Sequence, residues 1–251
     1  MSNQAWYLRC TKDQIADRVI LIGDPARVPR LAENLTDARL LPVNRGLAMA
    51  TGMFEGTPIT LAAFGMGAPI ATIVLHELAA IGAGVFLRIG TAMCLPPTEM
   101  GSIVLAERAV SFEGTSKAYI FDSTTFDADA DLASNIMDVA DVAGVRCQSS
   151  LFASFDGFYR DMYPLDKATG ERVTENFQSL QERGVAAVDM ETSALLAAGQ
   201  FLDCKVSSLC VASVDAAKRV KLPPEEMATA EKKLGEIAFQ AIARTQMPKH
   251  P

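Results

Sequence analysis

Several charged side chains of this sequence stand inside or directly after apolar runs, where a charge needs a partner. Arg88 lies within the run VFLRIG, and arginine is almost never fully buried unless it is paired. Asp189 and Glu191 follow a second apolar run, and Asp215 ends a third. Guanidinium groups bind oxyanions through forked hydrogen bonds, and carboxylates bind sugar hydroxyls or move protons. These residues could therefore hold an anion beside a sugar.

A second group of residues could complete an anion site. Gly23, Asp24 and Arg27 follow the first apolar run, and Gly90 and Thr91 follow Arg88. Two arginines, a hydroxyl group and glycine backbone can together hold a phosphate ion. Because ligands of open α/β sheets bind at the carboxyl ends of strands, we expect these segments to converge there.

Each feature also has a plainer explanation that the local sequence leaves open. The Gly-Asp-Pro segment at 23–25 is typical of a tight turn. Arg88 could form an internal salt bridge. Asp189 and Glu191 could complement a helix dipole at its N-terminus, and Asp215 could be a solvated turn carboxylate.

The elements that would position these residues alternate between short strands and longer helices. Such alternation predicts a mostly parallel or mixed sheet covered on both sides. The longest irregular stretches, 113–130 and 155–175, are predicted to be loops that wall the substrate. Strands are predicted at 18–23, 58–64, 85–89, 103–106, 185–188 and 206–214, and helices at 26–35, 70–81, 132–143, 191–201 and 224–244.

Length and charge restrict the class of protein. The chain has 251 residues, 49% of them hydrophobic, which suits one large folded domain. Its net charge of −7 disfavours nucleic-acid binding, which needs a basic excess. The apolar stretch 59–89 is interrupted by charged residues, proline and glycines, so no membrane span is expected.

The cysteines indicate a reducing compartment. Their number is odd and no two form a C-x-x-C pair, so neither a metal site nor a disulfide framework is predicted. Residues 1–18 are polar and do not resemble a signal peptide. We expect a cytoplasmic protein.

Five segments in order resemble the nucleoside phosphorylase family, whose members include uridine phosphorylase and hexameric purine nucleoside phosphorylase. The resemblance covers about 7–244. The segments are VILIGDPAR at 19–27, Asn-Arg at 44–45, GMGAP at 65–69, FLRIGT at 86–91 and VDMET at 188–192.

The resemblance implies a fold and an assembly. The implied fold is a three-layer α/β/α sandwich around a mixed, mostly parallel sheet, in one domain spanning 1–251. The implied assembly is a dimer as the minimal active unit, with dimers forming a hexamer. Inorganic phosphate would be a co-substrate, and neither a cofactor nor a metal is implied.

The resemblance also implies roles in binding phosphate and ribose. Gly23, Arg27, Arg88 and Thr91 would bind phosphate, and Arg45 would reach the phosphate site of the neighbouring subunit. The ribose-binding residues would be Met190, Glu191 and Tyr7. Tyr7 occupies the position where the family usually has a histidine that reaches across the dimer to the 5′ end of the neighbouring subunit's sugar.

For the base, the resemblance implies stacking on Phe158 and contacts with Asp189 and Met93. The implied catalytic residues are Asp215 and Arg88, and Asp215 would donate a proton to a leaving purine. The glutamine and arginine that read uracil in relatives correspond to Met162 and Pro164 here. This favours a purine or broad-specificity enzyme over one for uridine.

The implied activity is phosphorolysis of a ribonucleoside or deoxyribonucleoside in nucleoside salvage, giving (deoxy)ribose 1-phosphate and free base. Such an enzyme is a pentosyltransferase. Two alternatives stay open: a nucleoside hydrolase of the same fold, and a non-catalytic nucleoside- or anion-binding member. A dinucleotide-dependent oxidoreductase lacks its G-x-G-x-x-G fingerprint.

Overall fold

The structure, a computed structural model, describes residues 4–248. Its strands are β1 (Arg18–Ile22), β2 (Thr36–Leu40), β3 (Met49–Phe54), β4 (Thr57–Ala63), β5 (Val85–Cys94), β6 (Ile103–Ser111), β7 (Thr125–Asp127), β8 (Cys147–Ser154), β9 (Val185–Asp189), β10 (Lys205–Asp215) and β11 (Val220–Lys221). Its helices are α1 (Arg27–Ala32), α2 (Ala68–Ala80), α3 (Ser116–Tyr119), α4 (Ala130–Val142), α5 (Lys167–Glu182), α6 (Thr192–Phe201) and α7 (Pro224–Arg244). None of the helices in this part of the chain is long and apolar enough to cross a membrane.

The strands form one mixed sheet in the order β11-β10-β6-β8-β9-β5-β1-β4-β3-β2, with β7 on β6. β10 also pairs with β5, so β5, β10, β6, β8 and β9 close into a ring that the alternation pattern did not predict. The mixed sheet is confirmed. Antiparallel pairings are about as frequent as parallel ones in residues 4–248, because β2, β3 and β4 form hairpins and because β10–β6 and β5–β9 pair antiparallel within the ring.

Helices cover both faces of the sheet, which confirms the three-layer prediction. Helices α2, α3 and α6 pack on one apolar cluster, and α1, α4 and α7 pack on another. β1 contributes to both, since Val19 and Leu21 face the first and Ile20 and Ile22 the second. A strand buried on both faces is a continuous apolar run, which is why the sequence revealed it.

The two predicted loops are wrong in part. Segment 113–130 contains α3 and β7, and segment 155–175 contains a π-helical turn, Phe158–Met162, and the start of α5. α3 and β7 are too short to show a period, and the first six residues of α5 include no large apolar side chain. Helix α1 is shorter than predicted, whereas β5 and β6 are longer. The longer β5 matters for the site, because it carries Arg88, Thr91 and Met93 within one strand.

Candidate active site

Arg88 is the centre of a buried polar cluster. It is 4% exposed and lies in β5, within the segment 85–89 that the sequence predicts as a strand. Its Nη2 donates to Oε2 of Glu191 at 2.6 Å, and its Nη1 lies 3.3 Å from Oδ2 of Asp189. Nη1 also contacts Sγ of Cys210 at 2.7 Å and Oγ of Ser208 at 3.2 Å. The internal salt bridge therefore exists, and it joins the residues predicted to do chemistry.

The guanidinium of Arg88 stays charged in this setting. Burial alone would lower the pKa of Arg88, but Cys210, Asp189 and Glu191 raise it above its ordinary value. Burial raises the pKa of the Cys210 thiol. One guanidinium thus faces two carboxylates, so an anion bound here requires further positive charge.

Glu191 connects Arg88 to the loop that begins α2. Its Oε1 accepts the backbone N–H of Gly67 at 2.8 Å. Gly67 has a φ of +99° and precedes the first residue of α2, a conformation that glycine adopts without strain. The N–H of Gly65 in turn donates to the carbonyl of Gly23 at 2.9 Å. The structure therefore brings Gly23, Glu191 and Arg88 to one place.

Asp189 lies beneath this site, where the structure leaves no room for the predicted contact with a base. Its side chain is 1% exposed and accepts hydrogen bonds from Ser154 Oγ at 2.6 Å and from the hydroxyl and N–H of Thr192. A carboxylate at the start of α6 also complements the helix dipole, as the plainer explanation held. Asp189 fixes the position of Arg88 and of α6.

Thr91 and Met93 continue β5 beyond Arg88. Thr91 is half-buried, and its hydroxyl has no hydrogen-bond partner within residues 4–248, so it is available to a ligand. Met93 is buried in an apolar cluster with Met162, against which Phe158 and Met190 pack. The structure thus gathers Met93, Phe158 and Met190, three of the residues predicted to contact the base or the sugar.

Phe158 begins the π-helical turn Phe158–Met162. Its ring stacks on Tyr163 with centroids 5.9 Å apart and meets Tyr159 edge-on. Such single π-turns occur frequently at functional sites. An aromatic ring beside methionines offers a flat apolar surface, which is what a nucleobase requires.

Asp215 closes β10 opposite Cys94 of β5. Its Oδ1 accepts the N–H of Lys218 at 2.9 Å, and its Oδ2 lies 3.2 Å from Lys218 Nζ. Burial raises the pKa of Asp215, but the hydrogen bonds and charge of Lys218 outweigh burial and hold the pKa below its ordinary value. In this state Asp215 is a carboxylate paired with Lys218, and a role as an acid requires that it first be protonated.

Arg27 is paired with a different carboxylate from those that hold Arg88. Its Nη2 donates to Oε1 of Glu231 on α7, and Arg30 lies 3.9 Å from the other oxygen of that carboxylate. Arg88 binds different carboxylates, Glu191 and Asp189. The two guanidiniums thus share no carboxylate partner, and their convergence around one anion stays a prediction.

Tyr7 and Arg45 lie together on another part of the surface. The guanidinium carbon of Arg45 is 5.0 Å from the centroid of the Tyr7 ring. Asn44 donates to the carbonyl of Tyr7 at 2.6 Å, and Glu77 of α2 accepts the N–H of Tyr7 at 2.8 Å. These are the residues that the resemblance assigns to a neighbouring subunit's site, and the fold presents them as a pair.

Comparison with known proteins identifies the family. A sequence profile described as the Phosphorylase superfamily matches residues 17–244. The chain belongs to this superfamily. The predicted nucleoside phosphorylase family and enzyme class, a pentosyltransferase, are confirmed.

Members of the superfamily with different substrates in their names resemble this chain. It is 36% identical to uridine phosphorylase of Thermococcus kodakarensis over 61% of this chain and 56% of that one, so the match spans little more than half of that relative. It is 27% identical to guanosine phosphorylase of Halorubrum lacusprofundi over 81% and 80%. It is 25% identical to purine nucleoside phosphorylase DeoD-type of Proteus mirabilis over 94% and 96%.

The solved structure of purine nucleoside phosphorylase from Toxoplasma gondii in complex with immucillin-H shares the fold. The TM-score is 0.86 with 22% sequence identity, and the alignment covers 97% of this chain and 96% of that one. At this identity the likeness concerns the fold alone.

Three residues of this phosphorylase-superfamily chain contribute contacts that the sequence does not indicate. Gly67 lies in the GMGAP segment before a predicted helix, but nothing local indicates that its N–H binds Glu191. Cys210 is buried in β10 and looks like any apolar strand residue. Glu231 lies on the polar part of α7, and nothing local connects it with Arg27.

Proposed function

We propose that this chain is a nucleoside phosphorylase that cleaves the N-glycosidic bond of a ribonucleoside or deoxyribonucleoside with inorganic phosphate. The products are (deoxy)ribose 1-phosphate and the free base, a reaction of nucleoside salvage. The observation that carries the proposal is the buried Arg88–Glu191 pair, tied to Gly67 and adjoining the apolar cluster that holds Phe158 and Met190. Groups suited to an anion, a sugar and a base adjoin one another.

In the proposed reaction the phosphate lies beneath the anomeric carbon. Cleavage of a glycosidic bond passes through an oxocarbenium-like sugar, which an adjacent phosphate anion stabilises and then captures. Gly23, Arg27, Arg88 and Thr91 would hold the phosphate, with Arg45 of a neighbouring subunit supplying additional charge. Positioning and electrostatics would then provide most of the rate.

Glu191 and Met190 would hold the ribose. The carboxylate of Glu191 is fixed by Arg88 on one oxygen and by Gly67 on the other, so a sugar hydroxyl would donate to an oriented acceptor. Met190 packs on the apolar cluster and offers its side chain to the ring. An acceptor fixed before substrate arrives loses little entropy on binding.

The base would lie against Phe158 and Met93. Because the cluster around them is apolar and rich in methionine, it supplies surface contact rather than directed hydrogen bonds, and methionine adapts to different shapes. This supports a purine or broad-specificity enzyme. Asp215, once protonated, would donate a proton to the leaving purine.

The minimal active unit in this proposal is a dimer, and a hexamer would be built from such dimers. Arg45 is exposed and its guanidinium lies 5.0 Å from the centroid of the half-buried Tyr7 ring. Beside them Trp6 and Val43 are 75% and 63% exposed. Large apolar side chains on a surface favour a protein contact. The free cysteines support a cytoplasmic location.

The test is release of free base from inosine, adenosine, guanosine, uridine and thymidine, each with and without phosphate. We expect phosphate-dependent release that includes at least one purine nucleoside. Equal rates without phosphate would indicate a hydrolase. Binding without turnover across all five would indicate a non-catalytic protein.

A further inference from the structure

Arg27 is held by a carboxylate from the far end of the chain. Its Nη2 donates to Oε1 of Glu231, which lies 204 residues away on α7. The side chains of Arg27 and Glu231 are 15% and 22% exposed, so the pair is more strongly coupled than a fully solvated one. The Nε of Arg27 is buried without a partner.

The contact conflicts with the role proposed for Arg27. Arg27 begins α1, four residues after Gly23, which contacts the loop that reaches Glu191. Its backbone is thus close to the proposed phosphate site, while its charge is neutralised by Glu231. The Arg88 cluster already holds two carboxylates against one guanidinium, so phosphate needs the charge of Arg27.

We propose that Glu231 is a built-in competitor of phosphate for Arg27 and thereby sets the affinity of the enzyme for phosphate. This inference rests on the proposed function. Phosphate carries more negative charge than a carboxylate and accepts forked hydrogen bonds from arginine, so it displaces Glu231 when it enters. The displaced carboxylate of Glu231 keeps a cationic neighbour, because Nη2 of Arg30 already lies 3.9 Å from its second oxygen.

The first experiment is the substitution Glu231→Gln. Glutamine keeps the size of the side chain but removes the charge that competes with phosphate. We expect the KM for phosphate to fall by about threefold to tenfold, with kcat and the KM for nucleoside nearly unchanged. Phosphate should also stabilise the variant against heating at lower concentrations than the wild type, since a tighter ligand raises Tm earlier.

The matched control is Glu236→Gln. Glu236 lies on the same helix and is 4.0 Å from Lys232 in an exposed pair, so the substitution makes the same change of net charge without touching Arg27. We expect its phosphate KM to equal that of the wild type. A fall of equal size in both variants would mean that net charge acts at a distance, and would overturn the proposal.

A double-mutant cycle separates competition from other effects. In Arg27→Ala the guanidinium for which Glu231 and phosphate compete is absent. Adding Glu231→Gln to that variant should therefore leave phosphate affinity unchanged. A higher KM in Glu231→Gln alone would show that Glu231 positions Arg27 for phosphate, and an unchanged KM would show that it does not compete; either result overturns the proposal.

The outcomes for this inference and for the proposed function are distinguishable. If the wild type releases base with phosphate but Glu231→Gln binds phosphate equally well, only the inference fails. If the wild type releases no base, yet phosphate stabilises Glu231→Gln at lower concentrations, the proposed reaction fails and the competition stands.

Discussion

A guanidinium in the middle of a buried strand needs its charge matched, and Arg88 is matched by Glu191 and Asp189. Replacing such a cluster with apolar residues is often neutral or stabilising in other proteins, so stability alone does not account for it. Function does, because the same contacts orient a cation toward an anion and an acceptor toward a sugar. Removing Arg88 would leave two buried carboxylates unpaired and cost about 3–5 kcal/mol.

Asp215 and Lys218 give a prediction about pH. The backbone N–H, the side chain and the charge of Lys218 hold the pKa of Asp215 below its ordinary value. Lys218→Met keeps the backbone N–H but removes the ammonium group, so it should raise that pKa. If protonated Asp215 serves leaving purines, activity on inosine falls as pH rises through this pKa. The fall should therefore move to higher pH in Lys218→Met, as measured by kcat/KM for inosine at successive pH values.

Two further variants check this assignment. Lys232→Met removes an exposed lysine of α7 and should leave the pH profile unchanged. Asp215→Asn should reduce kcat/KM for inosine by about a hundredfold and for uridine much less. Equal losses on inosine and uridine, or an unshifted profile in Lys218→Met, would remove the acid role of Asp215.

At the scale of elements, β5 carries the largest share of the site. It continues past Arg88 through Gly90 to Cys94, although the glycine invites the interpretation of a strand end. A Cβ on Gly90 would lie 3.1 Å from the guanidinium carbon of Arg88. Glycine at position 90 therefore leaves room for the guanidinium of Arg88, and it does so within a continuous strand rather than at a turn.

Gly90→Ala should reduce activity without removing any charged group. The added methyl group must displace a guanidinium held by several partners, and small displacements of positioning groups are costly in catalysis. We expect kcat/KM to fall by about tenfold to a hundredfold, with a higher KM for phosphate. Steady-state kinetics and thermal unfolding together measure this.

The control for this substitution is Gly114→Ala. Gly114 is exposed, and a Cβ there would meet its nearest neighbour, Asp156, at an ordinary 3.8 Å. This variant should keep wild-type kinetics. Full activity in Gly90→Ala would contradict the view that the placement of Arg88 matters.

How well elements could be predicted depended on how they are buried. β1 and α7 are clear in the sequence because one is a continuous apolar run and the other an amphipathic repeat. β2 is exposed along its length and β8 begins with polar residues, so neither shows a period. Their place in the sheet is determined by pairing with distant strands.

At the scale of the whole molecule, the closed ring of strands assembles the site. β5 pairs with β1, β9 and β10, so residues far apart in the chain converge around Arg88. Tyr7 and Arg45 lie outside these strands and contact each other. In the proposed assembly they complete the site of a second subunit.

This arrangement predicts complementation between two inactive variants. An Arg45→Ala subunit cannot complete the phosphate site of its neighbour. A Glu191→Gln subunit cannot bind the sugar in its own site. A mixed dimer contains one intact site, so a refolded equal mixture should recover about a quarter of the wild-type sites. Each variant refolded alone is the control, and a mixture no more active than the two would place Arg45 in its own subunit's site.

How far the site itself could be predicted differs from residue to residue. Arg88 and Glu191 stand out because charges inside apolar runs need partners. The pairing of Arg27 with Glu231 joins opposite ends of the chain, and the depth of Asp189 depends on how β9 meets α6. Such long-range packing leaves no local pattern.

The most direct measurement is the identity of the sugar product. Purified enzyme is incubated with inosine in the presence and absence of phosphate, and the sugar and the base are both quantified. One ribose 1-phosphate for each base released, and no release without phosphate, is the predicted result. Free ribose formed at the same rate in the absence of phosphate would contradict it.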